Sequence, residues 1–273
     1  MTGSPLHVTL LPTATPPSRW MVFLHGILGT GSNLRALARR LTTEHPGWGA
    51  ALVDLRLHGQ SRTIPGPHSV AAAATDLQQL DAIVPGPIRG VTGHSFGGKV
   101  AMAWMAQRQG LELGWVLDAM PGPRPGGRGS EGTLSVFDAL DRAGKRFATR
   151  EEFVQALMRE GLEEGTSRWL GMNIERVGDS MEFVLDLPAI RSMLDDYFQR
   201  DLWPVVESPP AGLSLHLVIG GRSNVFDASE RMRAEQAARR SGGRVHVHLL
   251  PGAGHWVHVD DPDGLFALMS ASM

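Results

Sequence analysis

The chain has 273 residues, with 26 Lys and Arg against 28 Asp and Glu for a net charge of −2, and no cysteine. This length suits one large α/β domain or a core with an inserted cap, and the near-balanced charge gives no electrostatic reason to expect nucleic acid or an anionic membrane as a partner. Zero cysteines exclude disulfides, thiolate metal sites and a cysteine nucleophile; no apolar run approaches the roughly 20 residues of a bilayer span and no basic, then apolar N-terminal leader is present, so a cytoplasmic enzyme is expected.

Apolar runs at 6–11 and 20–24 predict the first strands, and 33–41 a helix. Residues 50–55 predict a third strand, and the Ala-rich stretch 70–84 a second helix. A short apolar run at 88–92 enters Gly93-His94-Ser95-Phe96-Gly97-Gly98, and an Ala- and Met-rich helix at 98–107 leaves it. Another strand is predicted at 115–119. The rhythm then breaks. Residues 121–132, rich in Pro, Gly and Arg, read as a mobile connection. Amphipathic helices follow at 137–146, 150–160 and 187–197, with a short strand at 181–185. A strand at 213–219, a helix at 229–240, a strand at 245–250 and a helix at 263–269 complete the chain.

This alternation predicts an α/β fold, a mostly parallel sheet with helices on both faces. Residues 1–120 and 211–273 would form the core, and 121–210 a mainly helical cap inserted over its active edge; a helical domain set to one side is the alternative. Such a sheet places its site at the carboxyl ends of the strands. His25, Asp54, Ser95, Asp118, the turn 220–223 and, one loop on, His255 all fall there.

The segment around Ser95 has the Gly-x-Ser-x-Gly pattern in a strand–turn–helix context, the nucleophile elbow. The sharp turn strains the serine backbone and crowds its neighbours, so only very small residues fit beside it. A serine hydroxyl needs an adjacent general base, itself oriented by a third group. His255, in Pro251-Gly252-Ala253-Gly254-His255-Trp256, is the preferred base. His246 and His248, two apart on one face of a strand, read as sheet surface, and His258 is a further competitor. His25 and His58 read as loop-holding residues, and His94 as packing around the elbow.

The acid is less direct. In Gly220-Gly221-Arg222-Ser223, the usual carboxylate position holds Ser223. Asp227 begins a helix capping-box pattern with Glu230. Asp118, ending the strand after the elbow's helix, is favoured, with Asp227, Asp260 and Asp261 as alternatives and Ser223 as a hydrogen-bonding partner of His255 or Asp118. The oxyanion donors are expected from the backbone N–H groups of Phe96 and Ile27, the latter in a loop where Gly26 and Gly29 let the backbone fold close to substrate.

Together, His25-Gly26, the loop 54–61, Gly93-His94-Ser95-Phe96-Gly97-Gly98-Lys99 and Gly254-His255-Trp256 resemble the α/β-hydrolase superfamily over essentially the whole chain. The run His25-Gly26-Ile27-Leu28-Gly29 with Asn33-Leu34, the elbow followed by Lys99-Val100-Ala101-Met102, and the turn at Ser223 are similar to small esterases and thioesterases of the α/β-hydrolase-domain group. That resemblance implies that an Asp on the earlier strand can stand in for a vacant acid site. The expectation is a serine esterase or thioesterase acting on small to medium hydrophobic acyl substrates, without metal or organic cofactor. C–C bond hydrolysis or lyase chemistry on the same scaffold, and a hydrolase-derived ligand receptor, are the other readings.

Overall fold

The computed structural model describes residues 6–127 and 131–273. The chain runs through β1 (Val8–Leu10), β2 (Arg19–Leu24), α1 (Arg35–Glu44), β3 (Trp48–Val53), α2 (Val70–Asp76), α3 (Leu80–Ile83), β4 (Ile88–His94), α4 (Phe96–Met105) and β5 (Leu113–Leu117). Next come α5 (Glu131–Ala143), β6 (Arg146–Phe147), α6 (Arg150–Arg159), α7 (Glu164–Leu170), β7 (Ile174–Val177), β8 (Ser180–Phe183), α8 (Leu187–Gln199) and α9 (Trp203–Glu207). The last part holds β9 (Ser214–Gly220), α10 (Ala228–Arg240), β10 (Val245–Leu250), α11 (Val257–Asp260) and α12 (Pro262–Ser270).

Among the described residues, seven strands form one sheet in the order β1-β3-β2-β4-β5-β9-β10. Only β1 runs antiparallel to its neighbour. The central strands carry near-continuous apolar runs because both faces are covered. Met21, Phe23, Trp115, Leu117 and Val218 pack against Leu37 and Leu41 of α1 and Leu265 and Met269 of α12. The alternate residues Val22, Leu24, Val91, Val116 and Leu217 join α2, α4 and α10 on the other face. The mostly parallel sheet with helices on both faces is therefore as predicted, and with it the α/β-hydrolase fold.

Between β5 and β9 the described residues form five α-helices and a small antiparallel sheet in the order β6-β8-β7. Its apolar residues Phe137, Phe153, Ile190 and Met193 are continuous with the cluster around α2 and α4. This part departs from the sequence reading in detail. Helices α7 and α9 and strands β6 and β7 were not anticipated; each is too short to display a clear periodic pattern. Helix α5 begins earlier than expected and ends before Gly144, whose φ of 85° is the left-handed conformation that stops helices. The predicted helix at 70–84 is interrupted by a 3₁₀ turn at Leu77–Gln79, next to Thr75, whose hydroxyl donates to the Ala71 carbonyl one turn back.

The expected mobile connection is in part a packed element. Pro121, Gly122, Arg124 and Gly127 are buried, and the Arg124 N–H donates to the Phe198 carbonyl. Glu131 and Gly132, also expected in that connection, instead open α5, and the part at 128–130 lies outside the described residues.

Candidate active site

The elbow follows from close backbone approach. Ser95 lies between β4 and α4 with φ 51° and ψ −116°, in the left-handed half of backbone space that non-glycine residues avoid. A Cβ on Gly93 would stand 2.1 Å from the Gly97 carbonyl oxygen, and one on Gly97 would stand 2.5 Å from the carbonyl oxygens of His25 and Leu24. Glycine is thus required at both positions. Gly26 lies beside the nucleophile with more room: a Cβ there would stand 3.0 Å from His94 Nδ1 and in ordinary contact, 3.5 Å, with the Ser95 Cβ.

The structure brings Ser95, His255 and Asp118 into one hydrogen-bonded chain. The Ser95 hydroxyl donates to His255 Nε2 at 3.0 Å, and His255 Nδ1–H donates to Asp118 Oδ2 at 2.7 Å. Asp118 follows β5 with a positive φ of 45° and is fully buried, while the His255 side chain is 30% exposed. The carboxylate accepts two further bonds: Gly220 N–H donates to Oδ1 at 3.0 Å and Ser223 Oγ–H to Oδ2 at 2.6 Å. Ser223 thus meets Asp118, one of the two partners expected for it.

The other acid candidates have structural partners elsewhere. Asp227 and Glu230 form the reciprocal capping box of α10, Asp260 accepts the Gly254 N–H, and Asp261 caps α12 through the Gly264 N–H. His246 and His248 stack with His216, which lies on Trp115, away from the serine. His94 does more than pack: its Nε2–H donates to the His255 carbonyl at 2.9 Å, and its ring lies 4.7 Å from His258.

Two buried histidines shape the loop that carries Ile27. His25 donates from Nδ1 to the Gly26 carbonyl at 2.7 Å and accepts the Leu55 N–H at Nε2. His58 donates from Nδ1 to the Arg56 carbonyl and accepts the Leu28 N–H at Nε2 at 2.9 Å. Each needs one bare ring nitrogen, and burial enforces the neutral form, lowering His25 to about 4 and His58 to about 3. Asp54 joins the two loops, accepting from Gly31 and Gln60. Phe96 opens α4, where the first N–H groups have no carbonyl one turn earlier to bond.

A cavity of about 260 Å³ opens onto Ser95 and His255. Ile27, Leu28, Val136, Val225, Trp169 and Trp256 form apolar walls, and Thr133, Asn224 and Arg124 bring polar groups. Of the large apolar residues at 121–210, Trp169 lines the cavity, whereas Phe183, Phe198, Met193 and Trp203 are buried in the core cluster. Arg124 was missed in the sequence because it sits in what reads as a linker; the structure buries its guanidinium in the cavity wall, against the Tyr197 hydroxyl.

Lys99 was also missed as a structural residue. On the helix that starts at the elbow, its fully buried ammonium donates to the carbonyls of Gly122 (2.8 Å), Tyr197 (2.7 Å) and Arg200 (2.9 Å). It thereby ties α4 to both ends of the chain segment between β5 and β9. Burial, with the nearby Arg124 charge, lowers this amine to about 7, against the opposing pull of Asp201 and Asp196. Among the described residues no group of three or more side chains converges to hold a metal ion, and no helix is long and apolar enough to cross a membrane.

A parallel sheet whose strand ends gather a serine on a strained elbow, a histidine and a buried aspartate defines the architecture of an α/β hydrolase. The family profile described as "Alpha/beta hydrolase family" matches residues 21–268, and the chain belongs to that family, on its esterase and lipase side. It is 31% identical to the sn-1-specific diacylglycerol lipase ABHD11 of Mus musculus over 266 residues, covering 94% of this chain and 81% of the relative. It is 30% identical to Esterase YbfF of Escherichia coli strain K12 over 252 residues, covering 90% and 89% respectively. Among solved structures, a marine microorganism esterase superposes with a TM-score of 0.81 at 21% identity, covering 98% of this chain and 99% of that one.

Proposed function

We propose that this protein is a serine hydrolase that cleaves carboxylic ester or thioester bonds of small to medium hydrophobic acyl substrates through an acyl-enzyme. The observation that carries this reading is the continuous hydrogen-bonded chain from Ser95 Oγ through the His255 ring to Asp118 Oδ2. His255 takes the Ser95 proton as the hydroxyl attacks the acyl carbon, then delivers it to the departing alcohol or thiol. In the second half-reaction His255 activates water, which releases the acid and restores Ser95. Asp118 holds the Nδ1–H tautomer and stabilises the imidazolium, and Ser223 steadies the carboxylate. The backbone N–H groups of Ile27 and Phe96 receive the oxyanion, where each donor is worth about 3 kcal/mol in the transition state.

In this reading residues 1–120 and 211–273 are the hydrolase core, and 121–210 is a cap that closes the cavity over Ser95. The apolar lining from Val136, Trp169 and Val225 supports an acyl chain as the occupant. Steady-state hydrolysis of a chain-length series of nitrophenyl esters and of matched acyl thioesters tests the proposal. Turnover of one series that is lost in Ser95→Ala is expected. Negligible turnover of both by folded protein would overturn it in favour of a binding function.

A further inference from the structure

Leu28 is a branched-chain residue held where its own backbone preference opposes it. Its φ is 62°, in the left-handed region that costs a non-glycine residue about 1–2 kcal/mol. It is the third residue of a tight turn closed by the Gly29 N–H on the Gly26 carbonyl at 3.1 Å. A positive φ at that position marks the turn class that normally carries glycine there. Left alone, the turn gains by flipping its central peptide, Ile27–Leu28, into the form that any residue adopts. That peptide is joined directly to Ile27, the residue proposed to donate the N–H to the oxyanion.

Two contacts hold the strained form. On the core side, the Leu28 N–H of the central peptide donates to His58 Nε2, a bond that contributes to holding the strained form but does not carry it alone. On the other side, the Leu28 carbonyl accepts from Asn173 Nδ2 at 2.9 Å. Asn173 is 145 residues away in sequence, is buried, and ends the 3₁₀ turn Gly171–Asn173 between α7 and β7. Its own carbonyl is anchored by the Val184 N–H just after β8. Its neighbour Met172 meets the same loop, at Asn33, whose Oδ1 accepts the Thr30 N–H.

We infer that Asn173 is a positioning residue that holds the oxyanion loop in its strained, working form, so that the donor at Ile27 is completed only when the segment bearing Asn173 is seated on the core. This rests on the hydrolase reading above and on Ile27 as a donor. Lifting the segment away would free the Leu28 carbonyl and let the turn relax, leaving Ser95 and His255 in place without one of their oxyanion donors. Binding of a substrate that seats the segment would assemble the donor at the moment it is needed.

The test compares wild type, Asn173→Ala, Leu28→Gly and the double variant on one nitrophenyl ester, with inhibition by an alkyl trifluoromethyl ketone, whose Ser95 adduct carries the oxyanion. Asn173→Ala is expected to lower kcat about ten-fold with KM within two-fold, and to weaken the ketone by the same factor. In the Leu28→Gly background, where positive φ carries no penalty, the same change is expected to cost less than three-fold. A kcat within two-fold of wild type, a loss confined to KM, or an undiminished loss in the Leu28→Gly background would overturn the inference. If Asn173→Ala does not fold, Asn173→Leu, close in size, uncharged and lacking the donor, gives the same reading. A wild type inactive on esters would instead overturn the hydrolase reading itself, and the role of Asn173 with it.

Discussion

Ser223 Oγ and His255 Nδ1 converge on one oxygen of Asp118, at 2.6 and 2.7 Å. The hydroxyl stands at the turn after β9 where a carboxylate was expected, and the carboxylate reaches that point from β5 instead. The buried charge is thus shared among three donors, counting the Gly220 N–H on Oδ1. Hydrogen bonds to a charged group contribute about 1.5–3 kcal/mol each. Ser223→Ala is therefore expected to lower kcat/KM about ten-fold. Asp118→Asn, which leaves His255 without its orienting anion, is expected to cost about 10⁴-fold in kcat. Asp227→Asn should stay within two-fold of wild type. Ester-hydrolysis kinetics of the three variants check this, and a collapse at Asp227 with Asp118→Asn unaffected would contradict the assignment.

The fold and the chain Ser95–His255–Asp118 were legible in the sequence for distinct reasons. The elbow announces itself because glycine is sterically obligatory at Gly93 and Gly97, and strand runs announce themselves because a two-sided parallel sheet needs apolar residues throughout. Asp118 could be favoured because chain order and its place at a strand end limit the choices. The contacts made by Lys99, Arg124 and Asn173 were not legible, since their partners lie 23 to 145 positions away and, for Lys99 and Asn173, are backbone carbonyls with no side-chain signature. One signal was present for Lys99: it is a charged residue near the start of an otherwise Ala- and Met-rich buried helix, and one of two lysines in the chain.

The neutral, buried pair His25 and His58 gives stability a defined pH dependence. Their folded pKa values, about 4 and about 3, lie below the ordinary 6.5, so below pH 6.5 the unfolded chain binds protons that the folded chain refuses. The contribution is complete above pH 6.5 and is lost as pH falls toward about 4. For His25 alone it is about 3 kcal/mol. Urea unfolding at a series of pH values should show the midpoint falling steeply over this range. A midpoint independent of pH between 6.5 and 4 would contradict the neutral assignment.

Lys99→Met keeps the side-chain volume but leaves the carbonyls of Gly122, Tyr197 and Arg200 without their donor. Charge-assisted bonds contribute about 1.5–3 kcal/mol each, offset in part because the buried amine no longer has to be desolvated, and a net loss of about 3 kcal/mol of stability is expected. The urea midpoint at neutral pH measures it. A loss under about 1 kcal/mol would show that these three contacts do not hold the 121–210 segment to α4.

The central claim is that Ser95 is a nucleophile activated through His255. The most direct measurement is stoichiometric reaction with a fluorophosphonate probe, with the modified residue located by mass spectrometry. The account predicts a single adduct at Ser95, no labelling in Ser95→Ala, and labelling slowed at least a hundred-fold in Asp118→Asn. Folded protein that takes up no probe, or that is labelled at another serine, would contradict it.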